Sequence, residues 1–217
     1  MRLYHFLKEE HGLLAIRDQK IKVSRIASLN DPFEYVHLDT TGHVARTVLK
    51  DRKKRANRKF GLLCFSKNFD NPVQWAHYAD AHRGLCLGFD VTSPDLLEVE
   101  YLESRSPPKD FGDALELPSK EFLRYMLSKK YAHWSYEQEF RMLVPLKSET
   151  AALIFEPFLP SLHLAEVIIG VRSTLSVLSV KSLTRHLQPR PLVSKVLASD
   201  NAFLMERSLW DRSRRAG

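Results

Sequence analysis

Short apolar runs of strand length recur along the chain at irregular intervals: Leu3 to Leu7, Leu62 to Ser66, Leu85 to Phe89, Phe140 to Val144 and Glu166 to Gly170. Such runs suit strands buried in a core rather than helices. Helical segments fall between them, over 9–17, 71–84, 120–130 and 173–187, and the polar 40–59 is expected to be helical or partly mobile. The regular alternation of a parallel βαβ sheet is missing, which predicts an α+β fold: a compact split or mixed β-sheet with flanking helices. One domain over 1–217 is expected. It carries a basic insertion at about 40–59, a loop and helix insertion at about 104–130, and a basic tail over 207–217.

Local chemistry fixes several element ends. Asn71-Pro72 pairs a capping side chain with a proline that has no N–H to lose, so a helix should open there and run through Gln74, Trp75 and Tyr78. It should close near Arg83-Gly84, where glycine suits a left-handed residue. Asn30-Asp31-Pro32 carries the same logic into a turn, and a ligand contact is the competing role for Asn30 and Asp31.

Hydrophobic residues make up 44% of the chain, enough for a substantial core. No apolar stretch approaches the ~20 residues of a membrane span, and the N-terminus lacks the apolar length of a secretory signal. Cys64 and Cys86 both sit in apolar runs, which predicts a reducing cytoplasm and argues against a nucleophilic thiolate. The net charge is +7, and much of the excess lies in Arg46, Lys50, Arg52, Lys53, Lys54, Arg55, Arg58 and Lys59. An anionic partner through 46–59 (DNA, RNA or a protein acceptor) competes with a solvated helix face.

The chemistry-bearing segment is Trp134-Ser135-Tyr136-Glu137-Gln138-Glu139-Phe140-Arg141. Read as a strand, it puts Glu137, Glu139 and Arg141 on one face and Tyr136, Phe140, Met142 and Val144 on the other. The second face must be buried, and the charged one is expected to meet a cleft or solvent. Such carboxylates suit a cationic or polyhydroxylated ligand; a solvated Glu–Arg pair is the plain alternative. Gly-rich phosphate loops and zinc-type spacings do not occur, and no metal is expected.

Six ordered segments carry a resemblance. Leu3-Tyr4-His5-Phe6, Leu29-Asn30-Asp31-Pro32-Phe33-Glu34, Cys64-Phe65-Ser66, Trp75-Ala76-His77-Tyr78-Ala79-Asp80, Arg83 to Phe89 and Trp134 to Arg141 follow one another as in a bacterial family, domain-of-unknown-function family 2971. More distantly, an early strand with His or Arg, a middle strand ending in Ser and a late strand with Glu-x-Glu are similar to the ADP-ribosyltransferases. That resemblance implies an NAD cleft in a split sheet, with NAD as substrate. It implies His5 (or Arg2) as the residue orienting the nucleotide, Ser66 as the strand-end serine, Glu139 as the catalytic carboxylate and Glu137 on the acceptor side. Trp134, Tyr136 or Tyr78 would stack on nicotinamide or adenine, and Arg83 and Arg141 would meet the pyrophosphate. The middle strand reads Cys64-Phe65-Ser66 where that superfamily has Ser-Thr-Ser.

The implied activity is transfer of ADP-ribose to a macromolecular acceptor, or NAD cleavage, in a toxin or phage-defence setting. Two other readings stay open: a metal-dependent nucleic-acid processing enzyme using Asp31, Glu34, Glu137 and Glu139, and a non-catalytic nucleotide- or nucleic-acid-binding module.

Overall fold

The structure, a computed structural model, describes residues 1–39, 43–107, 112, 115–116, 118–148 and 151–208. The tail arginines Arg212, Arg214 and Arg215, and part of the loop expected over 104–118, lie outside the described residues.

The elements run β1 (Arg2–Leu7), α1 (Glu9–Asp18), β2 (Lys20–Lys22), β3 (Ser24–Arg25), α2 (His43–Lys59), β4 (Phe60–Ser66), α3 (Pro72–Tyr78) and β5 (Leu85–Val91). Then come β6 (Leu96–Glu98), β7 (Glu100–Leu102), α4 (Ser119–Leu127), β8 (Lys129–Tyr131), a 3-10 turn (Ala132–Glu137) and β9 (Glu139–Pro145). The last are β10 (Phe155–Pro157), β11 (Leu162–Ile169), α5 (Val177–Thr184), β12 (Leu192–Ala198) and β13 (Met205–Arg207). The α+β class read from the sequence holds, and the sheet is mixed. The chain divides into two units: 1–21, 65–93 and 157–217, and 22–64 with 94–156.

In the first unit the strand order is β13-β12-β11-β5-β1. β5 pairs antiparallel with both β1 and β11, with Cys86 opposite Phe6 on one side and Ile168 on the other. β11 and β12 are parallel, and α5 lies on the crossover that a parallel pair requires. Tyr4, Phe6, Trp75, Ala79, Cys86, Ile168, Val196 and Met205 form its core cluster.

Helix α3 starts as the cap predicts: Asn71 accepts a bond from the Val73 N–H at 2.8 Å, and Pro72 opens the first turn. Its exit differs from expectation. The left-handed residues are Asp80, Ala81 and His82, and no glycine among the described residues has positive φ. Gly84 serves close approach instead, since a Cβ there would stand 2.0 Å from the Leu7 carbonyl oxygen.

In the second unit β9 lies between β4 and β6, and β3 pairs with β4. β6 and β7 are separate short strands, because β6 pairs with β9 while β7 pairs in parallel with β8. Helix α4 has the most sharply divided faces of these elements, burying Phe122, Leu123, Met126 and Leu127 against Ile26, Tyr35, Leu38, Leu49, Leu62, Leu97 and Leu143.

The strand expected from Trp134 begins only at Glu139. Residues 132–137 form the 3-10 turn, and Gln138, left-handed at φ 44°, redirects the chain. From Glu139 to Val144 both faces of β9 are buried. The charged face expected at a cleft or in solvent is therefore interior.

Candidate functional site

Burial of a charged strand face demands partners, because an unpaired interior charge costs several kcal/mol. Arg141 is fully buried, and its guanidinium uses every N–H it has. Nε donates to Glu139 Oε1 at 2.8 Å, and one terminal nitrogen to Glu34 Oε2 at 2.8 Å and the Leu127 carbonyl at 3.0 Å. The other donates to Glu34 Oε1 at 2.6 Å and Glu139 Oε2 at 2.8 Å. Two carboxylates are thus gripped bidentately, the geometry that planar guanidinium suits. The fifth bond covers the last carbonyl of α4, where a positive charge also meets the negative end of the helix dipole.

Lys130 completes the cluster. Its ammonium lies 2.6 Å from Glu137 Oε2, 3.1 Å from Glu139 Oε2 and 3.7 Å from Glu34 Oε1, with the Trp134 ring centroid at 4.8 Å. Lys130 is the middle residue of three-residue β8, so alternation sends it inward while Lys129 and Tyr131 turn away. Glu34 arrives from the Asn30-Asp31-Pro32 turn, in which Asp31 Oδ1 accepts from the Phe33 N–H at 2.8 Å. Asp31 is buried in this capping role, and Asn30 is exposed beside it.

Electrostatics follow from this packing. Burial works against the Glu139 charge, but the Arg141 guanidinium and Lys130 overcome it and hold the carboxyl down at about 2. The same carboxylates raise Lys130 and Arg141 against their own desolvation. Burial, and then the charge of Glu139, push the Cys64 thiol well up, so it stays protonated. The Tyr101 hydroxyl accepts the Glu139 backbone N–H at 2.8 Å, and burial pushes that phenol up to about 12.

A cavity of about 440 Å³ adjoins Lys130 in the same unit. Phe33, Val36, His37 and Tyr131 supply walls, and Glu103 and Arg105 supply charge.

The residues singled out in the sequence divide between the units. Glu137, Glu139, Arg141, Trp134, Tyr136, Asn30 and Asp31 belong to the second, where the first three converge on the cluster. The Trp134 and Tyr136 rings lie 6.1 Å apart and tilted. The pyrophosphate contact expected of Arg141 finds all its N–H groups already engaged. His5, Ser66, Tyr78 and Arg83 belong to the first unit. There His5 meets Phe65 edge-on at 5.8 Å, and Ser66 Oγ accepts from Gln74 Nε2 at 2.9 Å. Tyr78 packs against the first core cluster, and Arg83 pairs with Asp80 at 3.0 Å on the surface. Arg2 bonds Asp90 at 2.8 Å and pairs with Glu166.

Lys130 and His37 were not legible as site residues. Lys130 stands in a Lys129-Lys130-Tyr131 run that reads as surface, and only the brevity of β8 betrays its inward turn. His37 has no spacing signal at all. Among the described residues no group of three His, Cys, Asp or Glu side chains is arranged to hold a metal ion, and the acidic side chains Glu34, Glu137 and Glu139 face cations instead.

Set against family models, curated proteins and solved structures, the chain matches none of them.

Proposed function

We propose that the chain is an NAD-dependent ADP-ribosyltransferase-like enzyme of the domain-of-unknown-function family 2971, transferring ADP-ribose to a macromolecular acceptor or cleaving NAD. The observation that carries this reading is a fixed, ionised carboxylate array. Glu34, Glu137 and Glu139 meet Lys130 and Arg141 in one buried cluster, and these five side chains carry one formal negative charge in excess.

Loss of nicotinamide gives the ribose oxocarbenium character. A negative array already locked in place stabilises that charge without reorganising. With its carboxyl held at about 2, Glu139 is a weak base, and its contribution is charge. Glu137, held by the Lys130 ammonium, takes the acceptor-side role. Arg141 positions Glu139 and does not touch substrate. Trp134 and Tyr136, in the same unit as the cluster, are the stacking rings that the resemblance implies.

The test is incubation with NAD labelled in the adenylate, with protein, DNA and RNA acceptors, for wild type, Glu139→Gln and Glu137→Gln. Expected are label transfer or nicotinamide release by wild type and a loss of about 10²–10³ in Glu139→Gln, the scale for removing one electrostatic stabiliser. Wild type without turnover sinks the reading.

One observation favours a polyanionic acceptor. Helix α2 carries eight cations against Asp51, a formal +7 that equals the net charge of the whole chain. Arg52 lies over the Phe122 ring at 4.4 Å, and Lys53 bonds the Glu34 carbonyl at 2.7 Å. Lys50, Lys54, Arg55, Arg58 and Lys59 are exposed, and Arg55 and Lys59 line a hollow of about 270 Å³ with Arg52. Phosphodiester contact there predicts affinity that falls steeply with salt. Salt-insensitive binding excludes it. No helix among the described residues is long and apolar enough to cross a membrane.

A further inference from the structure

His37 is the anomaly of the second unit. It is only 8% exposed, and neither ring nitrogen has a hydrogen-bond partner among the described residues. Its backbone is ordinary: the His37 carbonyl accepts from the Ser106 N–H at 2.9 Å, and the Tyr125 ring packs edge-on at 5.1 Å. Leaving a buried polar group unmet is destabilising, because the group has given up water and received nothing in return. A phenylalanine would fill the same space without that cost. Burial, and then the charge of Lys129, hold the imidazole down at about 4, so at neutral pH it is uncharged, with one N–H donor and one bare acceptor.

His37 is among the residues lining the cavity of about 440 Å³, a volume in the range of small-molecule sites. The other lining groups are complementary in kind. Phe33 and Tyr131 are exposed aromatic rings, Tyr131 stacked on His133 at 4.6 Å. Arg105 holds its guanidinium 5.2 Å from the Phe33 ring centroid, and Glu103, two residues before it, also lines the cavity. Lys130 is spent on carboxylates and offers its aliphatic stem rather than a free charge.

We propose that this cavity binds a nucleoside 5′-phosphate, with the heteroaromatic base inward at His37, the ribose diol at Glu103 and the phosphate outward at Arg105. A nucleobase edge carries both donors and acceptors, so it can meet a neutral imidazole nitrogen whether or not that nitrogen bears the proton. The faces of the base match aromatic walls. A carboxylate accepts from hydroxyls, and a guanidinium takes a phosphate bidentately. The ligand class rests on the nucleotide-handling reading above; the cavity chemistry stands without it.

The experiment is calorimetric titration of the full chain with AMP, using adenosine as the comparison and NAD turnover measured in parallel. AMP is expected to bind, and adenosine about ten-fold more weakly or worse, the loss of one charge-assisted phosphate contact. His37→Phe should weaken AMP by a similar factor while retaining the fold by circular dichroism. Arg105→Gln, at an exposed position, should abolish the preference of AMP over adenosine and leave adenosine unchanged; it decides the matter should His37→Phe fail to fold. AMP without measurable heat at millimolar concentration, or both variants binding as wild type does, overturns the proposal. AMP contains no nicotinamide bond, so the two readings separate. AMP binding without NAD turnover keeps this site and removes ADP-ribosyl transfer, and NAD turnover without AMP binding does the reverse.

Discussion

Replacing Arg141 by methionine keeps the bulk of the side chain and removes five hydrogen bonds at once. Four of them hold Glu34 and Glu139, and the fifth holds the Leu127 carbonyl. Lys130 alone then faces three carboxylates, at 2.6, 3.1 and 3.7 Å. Breaking a buried ion pair by deleting one partner typically costs about 3–5 kcal/mol. Against a total stability of about 5–15 kcal/mol that is severe. With a urea slope of about 1–3 kcal/mol/M, the midpoint should fall by at least about 1 M. The counterpart is Arg141→Met with Glu34→Gln and Glu139→Gln, which removes two negative charges with the cation and leaves Glu137 against Lys130. Since whole buried pairs can be exchanged for neutral groups at little cost, the triple variant should recover about half of the loss or more. Urea unfolding followed by circular dichroism and tryptophan fluorescence measures both. A single variant that loses under about 1 kcal/mol, or a triple variant no more stable than the single, refutes the assignment of Arg141 as the hub of an interior charge balance.

Acid should destabilise the protein in two overlapping stages. The folded His37 titrates at about 4 against an ordinary 6.5, so the unfolded chain takes that proton first and stability declines below about pH 6.5. Glu139 titrates at about 2 against an ordinary 4.5, so its contribution is whole above about pH 4.5 and drains away toward pH 2. Each is worth on the order of 3 kcal/mol; urea midpoints across pH should lose the upper stage alone in His37→Phe. Asn71→Ala removes the α3 cap and should cost about 1 kcal/mol in the same assay. Gly84→Ala drives a methyl to 2.0 Å from the Leu7 carbonyl oxygen and should cost several times as much, with protein recovered mainly unfolded. A Gly84→Ala variant as stable as wild type would remove close approach as the reason for that glycine.

What could be read from the sequence was what is local. The Asn71-Pro72 start of α3 was legible because a cap and its proline act over a single turn, and strands such as β1, β4 and β5 because their apolar runs are nearly unbroken. The strand through Phe140 and Val144 was legible too, but not its beginning, since a left-handed Gln138 leaves no mark in an apolar pattern. Glu137, Glu139 and Arg141 were recognisable as a group. Their partner Glu34 lies 107 positions from Arg141, and Lys130 looks like one more surface lysine. Pairing across that distance is decided by the fold, so a face rich in charge read as one for a cleft or solvent although it is interior. The left-handed stretch Asp80-Ala81-His82 was misplaced onto Gly84 for a related reason. Residue preference marks where a conformation is cheap, while the packing of Gly84 against Leu7 decided where the glycine was required.

The saturated guanidinium also has an evolutionary meaning. Lysine at 141 would bring three donors to five acceptor contacts, and glutamine at 34 or 139 would turn an N–H toward the arginine. Each of these exchanges leaves a buried donor or acceptor without its match. In a lineage Glu34, Lys130, Glu137, Glu139 and Arg141 should drift together or not at all, behaving as one inherited character.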